Sequence, residues 1–252
     1  MYGNLRSPPP GCSAGGAKGG CSTVFFVQST DGGVGMQWQY ISEIQADHAS
    51  WLPWTDSEGP CEPSVAILPD GRIMSVFRVD SREDIIRAFS STSGRTWENI
   101  SRMDAWAVMP QLQALSNGVV VLTSGRPGLR MWLLHPGAAA EDRGGWLAID
   151  LASVHNNGVE PVWQYRNNTV NATCVASSAP CVHCHTYPFH CTPPSVPPET
   201  TAYTGLAELT PVSSTVSKLI VVYDRVANGW AYPPGRWGEA DGIFSMVLTI
   251  GS

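Results

Sequence analysis

The sequence CEPSVAILPDGRIMSVFRVDSREDIIRAFSSTSGRTWENI, residues 61–100, decides the fold because β-type runs alternate in it with turn residues. Four runs rich in β-branched and aromatic residues are predicted as strands: Ser64–Leu68, Ile73–Val79, Ile85–Ser91 and Thr96–Ile100. Pro69-Asp70-Gly71 and Ser93-Gly94 supply tight turns between neighbouring runs. The stretch therefore predicts a four-stranded antiparallel meander, which has to bury its apolar face against other sheets.

Runs of the same kind lie on both sides of this stretch. They are predicted as further strands: Ser22–Gln28, Met36–Ile44, Leu112–Leu115, Val119–Ser124, Leu129–His135, Trp146–Leu151, Ala202–Leu209, Lys218–Arg225 and Phe244–Ile250. Asn117-Gly118 between two of the runs is a strong hairpin signal. The pattern predicts an all-β protein of about three and a half four-stranded blades, where a propeller typically has about four to eight blades.

Composition supports this interpretation and excludes other classes. The 252 residues are 43% apolar and include 25 glycines, 20 prolines and 10 tryptophans, as is typical of a turn-rich β protein. A net charge of −6 gives no support for nucleic-acid binding, and the absence of a long apolar run predicts no membrane span. We expect a flexible Gly/Pro-rich lead-in over residues 1–21. One domain should follow over 22–252, with a Cys/His/Pro-rich insertion at about 159–200.

Several short motifs in the chain resemble those of the exo-sialidases (neuraminidases). Glu62-Pro63-Ser64-Val65, Arg78 and the run Ser91–Trp97 look like parts of one blade of that family. The last run is similar to the family's Asp-box, Ser-x-Asp-x-Gly-x-Thr-Trp, with Ser93 in the place of the Asp. The resemblance implies a six-bladed β-propeller, of which this chain is expected to be the C-terminal part.

The same resemblance implies a set of site residues. Tyr203-Thr204-Gly205-Leu206 is similar to the family's Tyr-Ser-x-Leu segment, whose tyrosine is the nucleophile. The resemblance implies that Tyr203 is the nucleophile and Glu62 its general base. It also implies that Arg78 and Arg126 bind the substrate carboxylate and that Asp224 orients an arginine.

These residue types suit the chemistry of an acidic sugar. Sialic acid carries a carboxylate on its anomeric carbon, which repels an anionic nucleophile but not a neutral phenol. A neighbouring glutamate can take the phenolic proton and activate the oxygen. Arginine matches a carboxylate in bidentate geometry and remains charged. The expected partners are therefore sialylated glycans or related acidic sugars, and no cofactor is expected.

Each of these residues also has a structural interpretation. Tyr203 could be a core residue, Glu62 a solvated loop residue, and Arg78 half of a surface ion pair. Arg130 competes with Arg126 for the same role.

Two parts of the family's catalytic set are not found in the sequence. The family's general acid is an Asp on an early blade, and its first carboxylate-binding arginine lies in an Arg-Ile-Pro motif. We therefore expect an impaired sialidase-like hydrolase of glycoconjugates, of the kind used in oligosaccharide and ganglioside catabolism. The alternative is a non-catalytic propeller that binds glycans or proteins.

The insertion contains a weak metal-site candidate. Cys181-x-x-Cys184 with His183 and His185 provides thiolate and imidazole groups, which zinc prefers. The cluster lies in a Pro-rich segment without a second well-spaced pair, and we favour disulfides or disorder over zinc.

Three N-glycosylation sequons begin at Asn99, Asn167 and Asn171. They matter only in a secretory compartment, whereas the N-terminal segment lacks the apolar core of a signal peptide. A signal upstream of the given sequence would reconcile the two observations and would indicate a secreted or lysosomal protein.

Overall fold

A computed structural model describes residues 2–4, 22–35, 37–44, 60–79, 84–106, 108–125, 128–159, 203–225 and 242–252. The chain forms two compact units, Met1–Ala105 and Trp106–Ser252. Each unit contains antiparallel sheets in which neighbouring strands follow one another along the chain. The predicted all-β class, with blades of the propeller type in an incomplete set, is confirmed.

The first unit holds one three-stranded and one four-stranded sheet. The three-stranded sheet has the order β1 (Tyr2–Asn4), β2 (Ser22–Ser29) and β3 (Trp38–Ile44). The four-stranded sheet has the order β4 (Cys61–Ile67), β5 (Ile73–Arg78), β6 (Asp84–Ser90) and β7 (Glu98–Trp106). β1 was not predicted, since three residues are too short for an alternating pattern, and it lies within the segment 1–21 that was expected to be a flexible lead-in.

The second unit repeats this arrangement. Its four-stranded sheet consists of β8 (Val108–Ala114), β9 (Val120–Gly125), β10 (Arg130–Leu134) and β11 (Trp146–Asp150). Its three-stranded sheet consists of β12 (Thr204–Ser213), β13 (Val216–Arg225) and β14 (Gly242–Gly251).

A short 3₁₀ helix, Arg143–Gly145, and the helix α1, Leu151–Gly158, flank strand β11. The helix α1 was not predicted from the sequence. Asp150 caps it, because the Oδ1 atom accepts hydrogen bonds from the backbone N–H groups of Ala152 at 3.0 Å and Ser153 at 3.3 Å. An Asp directly before LASVHNNG was the available signal for this helix.

The sheets of each unit bury apolar residues between them. In the first unit the core comprises Val24, Ile44, Phe77, Val79, Ile86 and Ala88, with Trp97 and Ile100 packed against it. In the second unit the core joins strands of both sheets to α1, with Leu129, Met131, Leu151, Leu219, Val221 and Tyr223 among its members. Stacked sheets of this kind explain why an isolated meander would not suffice.

The turn between β2 and β3 is closed by side-chain hydrogen bonds to the backbone. Ser29 Oγ accepts from the N–H of Gly33 at 2.6 Å, and Asp31 Oδ2 accepts from the N–H of Gly35 at 2.6 Å. Ser29 Oγ also donates to Asp31 Oδ1 at 2.6 Å, and this bond with the backbone bonds lowers the pKa of Asp31. The carboxylate therefore acts as a fixed acceptor that shapes the turn.

The turn between β6 and β7 repeats these bonds position by position. Ser90 Oγ accepts from the N–H of Gly94 at 2.8 Å, and Thr92 Oγ1 accepts from the N–H of Thr96 at 2.9 Å. Thr92 therefore occupies the place of the aspartate. Ser93 has a φ of 56° and stands in the left-handed position next to Gly94, whose φ is 79°.

The prediction that Ser93 replaces the Asp of the motif is thus wrong by one residue. The run Ser90-Ser91-Thr92-Ser93 offers several hydroxyl side chains, so the first serine of the motif could be assigned either to Ser90 or to Ser91. Counting back from Gly94 would have identified Thr92.

Trp97 connects this turn to the three-stranded sheet of the same unit. Its ring meets Phe26 edge-on at a centroid distance of 5.7 Å, and its Nε1–H donates to Ser42 Oγ at 3.0 Å. Ser42 Oγ in turn donates to the carbonyl of Gly94. Trp97 is therefore packed between the two sheets of the first unit.

Gly94→Ala tests this contact, because a methyl group at Gly94 would collide with the ring of Phe26. Gly71→Ala is the matched control, since Gly71 also has a positive φ, 87°, but has open space where the methyl group would lie. Both substitutions should destabilise through backbone strain, and Gly94→Ala should lose about 1–3 kcal/mol more. Urea unfolding measures the difference, and equal losses would contradict the packing described.

Candidate functional site

The first pair of predicted site residues lies on β4 and β5. Cys61 and Arg78 are register partners, and a bulge follows between Cys61 and Ser64. Glu62 lies in this bulge with a φ of 51°, which is uncommon for a residue other than glycine. Its Oε1 atom is 3.5 Å from Nη1 of Arg78. The bulge thus turns the Glu62 carboxylate towards the arginine at the end of the neighbouring strand.

This ion pair is largely removed from solvent. The side chain of Arg78 is 6% exposed and that of Glu62 is 16% exposed. Arg78 is therefore not half of a surface ion pair, and Glu62 is not a solvated loop residue. Burial makes each charge depend on the other, because an uncompensated charge in this environment is costly. A glutamate base and a carboxylate-binding arginine were predicted at these positions, and the structure brings the two side chains together.

The second pair lies at the start of the last sheet. Tyr203 directly precedes β12, and its backbone N–H donates to Asp224 Oδ1 on β13 at 3.0 Å. The residue is 52% exposed, so it is not a core tyrosine. Asp224 fixes the backbone from which the phenol projects. Its predicted role of orienting an arginine stays a prediction.

The remaining candidates lie outside the described residues. These are Arg126 and the weak zinc candidates Cys181, His183, Cys184 and His185. In the part of the chain that the structure describes, no three His, Cys, Asp or Glu side chains gather as a metal site. No helix there is long and apolar enough to cross a membrane.

A buried polar cluster on β13 was not predicted. The hydroxyl of Tyr223 and Nδ1 of His155 are 2.8 Å apart, and both residues are buried. The ring of Phe244 packs edge-on against His155 at 4.8 Å. Arg225 is fully buried and donates from Nη2 to Asn156 Oδ1 at 3.5 Å. The cluster fastens α1 to the strand that carries the Asp224 carboxylate.

Strand alternation separates this cluster from the exposed face. Tyr223 and Arg225 are two residues apart and share the buried face of β13, whereas Asp224 between them points to the other face. Burial raises the pKa of Tyr223, and the positive charge of Arg225 opposes this rise. In the sequence, the signal for this buried cluster was the alternation of Tyr223, Asp224 and Arg225 at the end of an apolar strand.

Tyr223→Phe should change the alkaline branch of the stability curve. Because the pKa of Tyr223 is higher in the folded than in the unfolded chain, its contribution is complete below the unfolded value of about 10 and falls as the pH rises through the folded pKa. The variant should lose about 1 kcal/mol at neutral pH, from the bond to His155, and should show a shallower alkaline decline. Urea unfolding at neutral and alkaline pH measures both.

Tyr40→Phe is the control for this measurement, since Tyr40 is an exposed tyrosine of β3 in the other unit. It should leave the neutral-pH stability unchanged. An alkaline decline in Tyr223→Phe as steep as in the parent chain would contradict the role given to Tyr223.

Several solved structures are similar to this chain at low sequence identity. A protein of unknown function from Dyadobacter fermentans matches with a TM-score of 0.55 and 14% identity over 92% of this chain and 47% of that one. A variant of NanB sialidase from Streptococcus pneumoniae matches with a TM-score of 0.46 and 17% identity over 91% of this chain and 27% of that one. The intramolecular trans-sialidase from Ruminococcus gnavus matches with a TM-score of 0.44 and 14% identity, over 90% and 37%.

The chain thus spans less than half the length of each of these three structures. At 14% identity the match to the Dyadobacter protein shows a shared fold alone. No family model matches the sequence, and no curated protein sequence is significantly similar to it.

Proposed function

We propose that the chain is part of a sialidase-like glycoside hydrolase that releases terminal sialic acid or a related acidic sugar from glycoconjugates. In this proposal Tyr203 is the nucleophile and Glu62 is its base. Arg78 and Arg126 bind the substrate carboxylate, and Asp224 is the orienting group.

The buried Glu62–Arg78 pair is the observation that carries the proposal. Glu62 has a left-handed backbone conformation and its carboxylate faces Arg78. An apolar pair in the same place could stabilise the fold equally well, so stability alone does not explain this ion pair. Unusual backbone conformations and buried charges occur together at functional sites. The arrangement supports a site in which a carboxylate and a guanidinium are both needed for the chemistry.

Two observations support Tyr203 as the nucleophile: its side chain is exposed, and its backbone N–H is hydrogen-bonded to Asp224. The exposed phenol can reach a ligand, and the bond from its N–H to Asp224 limits its movement. A neutral phenol avoids repulsion by the substrate carboxylate, and a glutamate can take its proton. The repeated turns of the first unit support the resemblance to the Asp-box proteins from which these roles come.

The proposed activity is low. The family's general acid and its Arg-Ile-Pro motif do not occur in this sequence. A general acid contributes typically about 10²- to 10⁴-fold to the rate. Turnover by the chain should therefore be weak, and binding of the acidic sugar should depend on the remaining arginines.

One observation favours the second candidate, a non-catalytic propeller that binds glycans or proteins. The Arg78 side chain is only 6% exposed and is already compensated by Glu62. A guanidinium in this state acts as an internal counter-ion of the glutamate more readily than as a ligand for a substrate carboxylate.

Tyr203→Phe should reduce hydrolysis of a fluorogenic sialoside to background, because the substitution removes the proposed attacking oxygen and leaves the ring. Tyr40→Phe is the matched control, since it removes the hydroxyl of a similarly exposed tyrosine, and it should retain the parent rate. Equal rates in the parent and Tyr203→Phe would reject the nucleophile.

Glu62→Gln should lower the same rate by about 10²- to 10⁴-fold if Glu62 is the base. It should also destabilise the first unit by about 3 kcal/mol, because the buried Arg78 loses its counter-charge. Glu98→Gln, at an exposed glutamate of the same sheet, should change neither quantity. A parent chain without measurable hydrolysis that still binds sialosides by calorimetry would favour the non-catalytic candidate.

A further inference from the structure

Asn99 begins the sequon Asn99-Ile100-Ser101 on β7, the last strand in the order β4-β5-β6-β7. Its side chain is exposed, while the neighbouring Ile100 packs against the core of the first unit. Trp97 and Ile100 both pack against this core, and the two residues between them, Glu98 and Asn99, are both exposed. The acceptor amide is therefore presented on the surface by the packing of the sheet.

The backbone at Asn99 adds to this presentation. Its φ is 50°, in the left-handed region where asparagine and aspartate are the most tolerated residues after glycine. The conformation interrupts the regular pleat directly after the Ser90–Thr96 turn and the packed Trp97. A bulky group on this exposed side chain would extend into solvent.

We propose that Asn99 is an N-glycosylation site of this protein, used when the chain passes through a secretory compartment. The donor is an oligosaccharide linked to a polyprenyl diphosphate. Asn99 Nδ2 forms a bond to the anomeric carbon of the first sugar, and the bond from that carbon to the diphosphate oxygen breaks. The lipid diphosphate leaves with the electron pair, and the amide loses one proton.

The glycan has a structural consequence for the sheet. β7 is an edge strand in the described four-stranded sheet, and edge strands are sites of unwanted pairing between chains. A hydrated oligosaccharide on the exposed side of β7 obstructs such pairing. The site is independent of the proposed hydrolase activity, since Asn99 has no part in the Glu62–Arg78 or Tyr203–Asp224 contacts.

Both ends of the sequon also have structural explanations, which the experiment has to separate. Asn99 could be present only because its φ is positive. Ser101 Oγ accepts a hydrogen bond from Nε of the buried Arg87 at 2.9 Å, so the serine could be present only for that bond. Asn99→Asp keeps the tolerance for the left-handed conformation and removes the acceptor amide. Ser101→Thr keeps the hydroxyl, and Ser101→Ala removes it.

The test expresses the full chain behind a cleavable signal peptide in cultured mammalian cells. The background carries Asn167→Gln and Asn171→Gln, which remove the other two sequons. The readouts are the gel shift removed by peptide-N-glycosidase and, by peptide mass spectrometry in heavy-oxygen water, the labelled aspartate that the enzyme leaves at position 99.

The background chain should show one enzyme-sensitive shift. Ser101→Thr should retain it, and Asn99→Asp and Ser101→Ala should each lose it completely. Thermal unfolding of the secreted variants separates the role of Asn99 as glycan acceptor from its role in the backbone. Asn99→Asp should lose the glycan, but the stability of its unglycosylated fold should be unchanged. A background chain with a cleaved signal peptide and no enzyme-sensitive shift would overturn the proposal.

Discussion

The side-chain hydrogen bonds that close the turns between β2 and β3 and between β6 and β7 constrain the first unit. In the second of these turns Ser90 and Thr92 hold the N–H groups of Gly94 and Thr96, and this fixes where β7 starts and where Trp97 points. Trp97 then packs on Phe26 of the other sheet. The hydrogen bonds of the turn thereby position a contact between the two sheets, which adds to their shared apolar core.

Strands and turns could be predicted from the sequence because they depend on local chemistry. The alternation of β-type runs with Pro-Asp-Gly, Ser-Gly and Asn-Gly located each strand from β2 to β14, although β7 extends to Trp106, six residues beyond the predicted end at Ile100. β1 and α1 were missed, since the first has only three residues and the second follows a strand without a break. The aspartate position of the motif was misassigned to Ser93 because Thr92 and Ser93 both carry a hydroxyl group. Only the hydrogen bond from the Thr96 N–H shows that Thr92 occupies that position.

The candidate site was less predictable because its contacts are long-range. The resemblance named Glu62 and Arg78 separately, but only the bulge opposite Arg78 shows that the two side chains form a buried ion pair. Tyr203 was named as a nucleophile, whereas the bond from its backbone to Asp224 depends on how β12 aligns with β13. No local pattern relates His155 to Tyr223, which are 68 residues apart and meet through the packing of α1.

The assignment of Thr92 to the aspartate position is tested most directly by the unfolding free energy of Thr92→Val, Thr92→Asp and Ser93→Asp. The account predicts that Val lowers it by about 1 kcal/mol, since the acceptor for the Thr96 N–H is lost. Aspartate at position 92 should retain or raise the stability, because Asp31 accepts the corresponding backbone bond in the equivalent turn, and aspartate at position 93 should give no such gain. Unchanged stability in Thr92→Val, or a greater gain from Ser93→Asp than from Thr92→Asp, would contradict it.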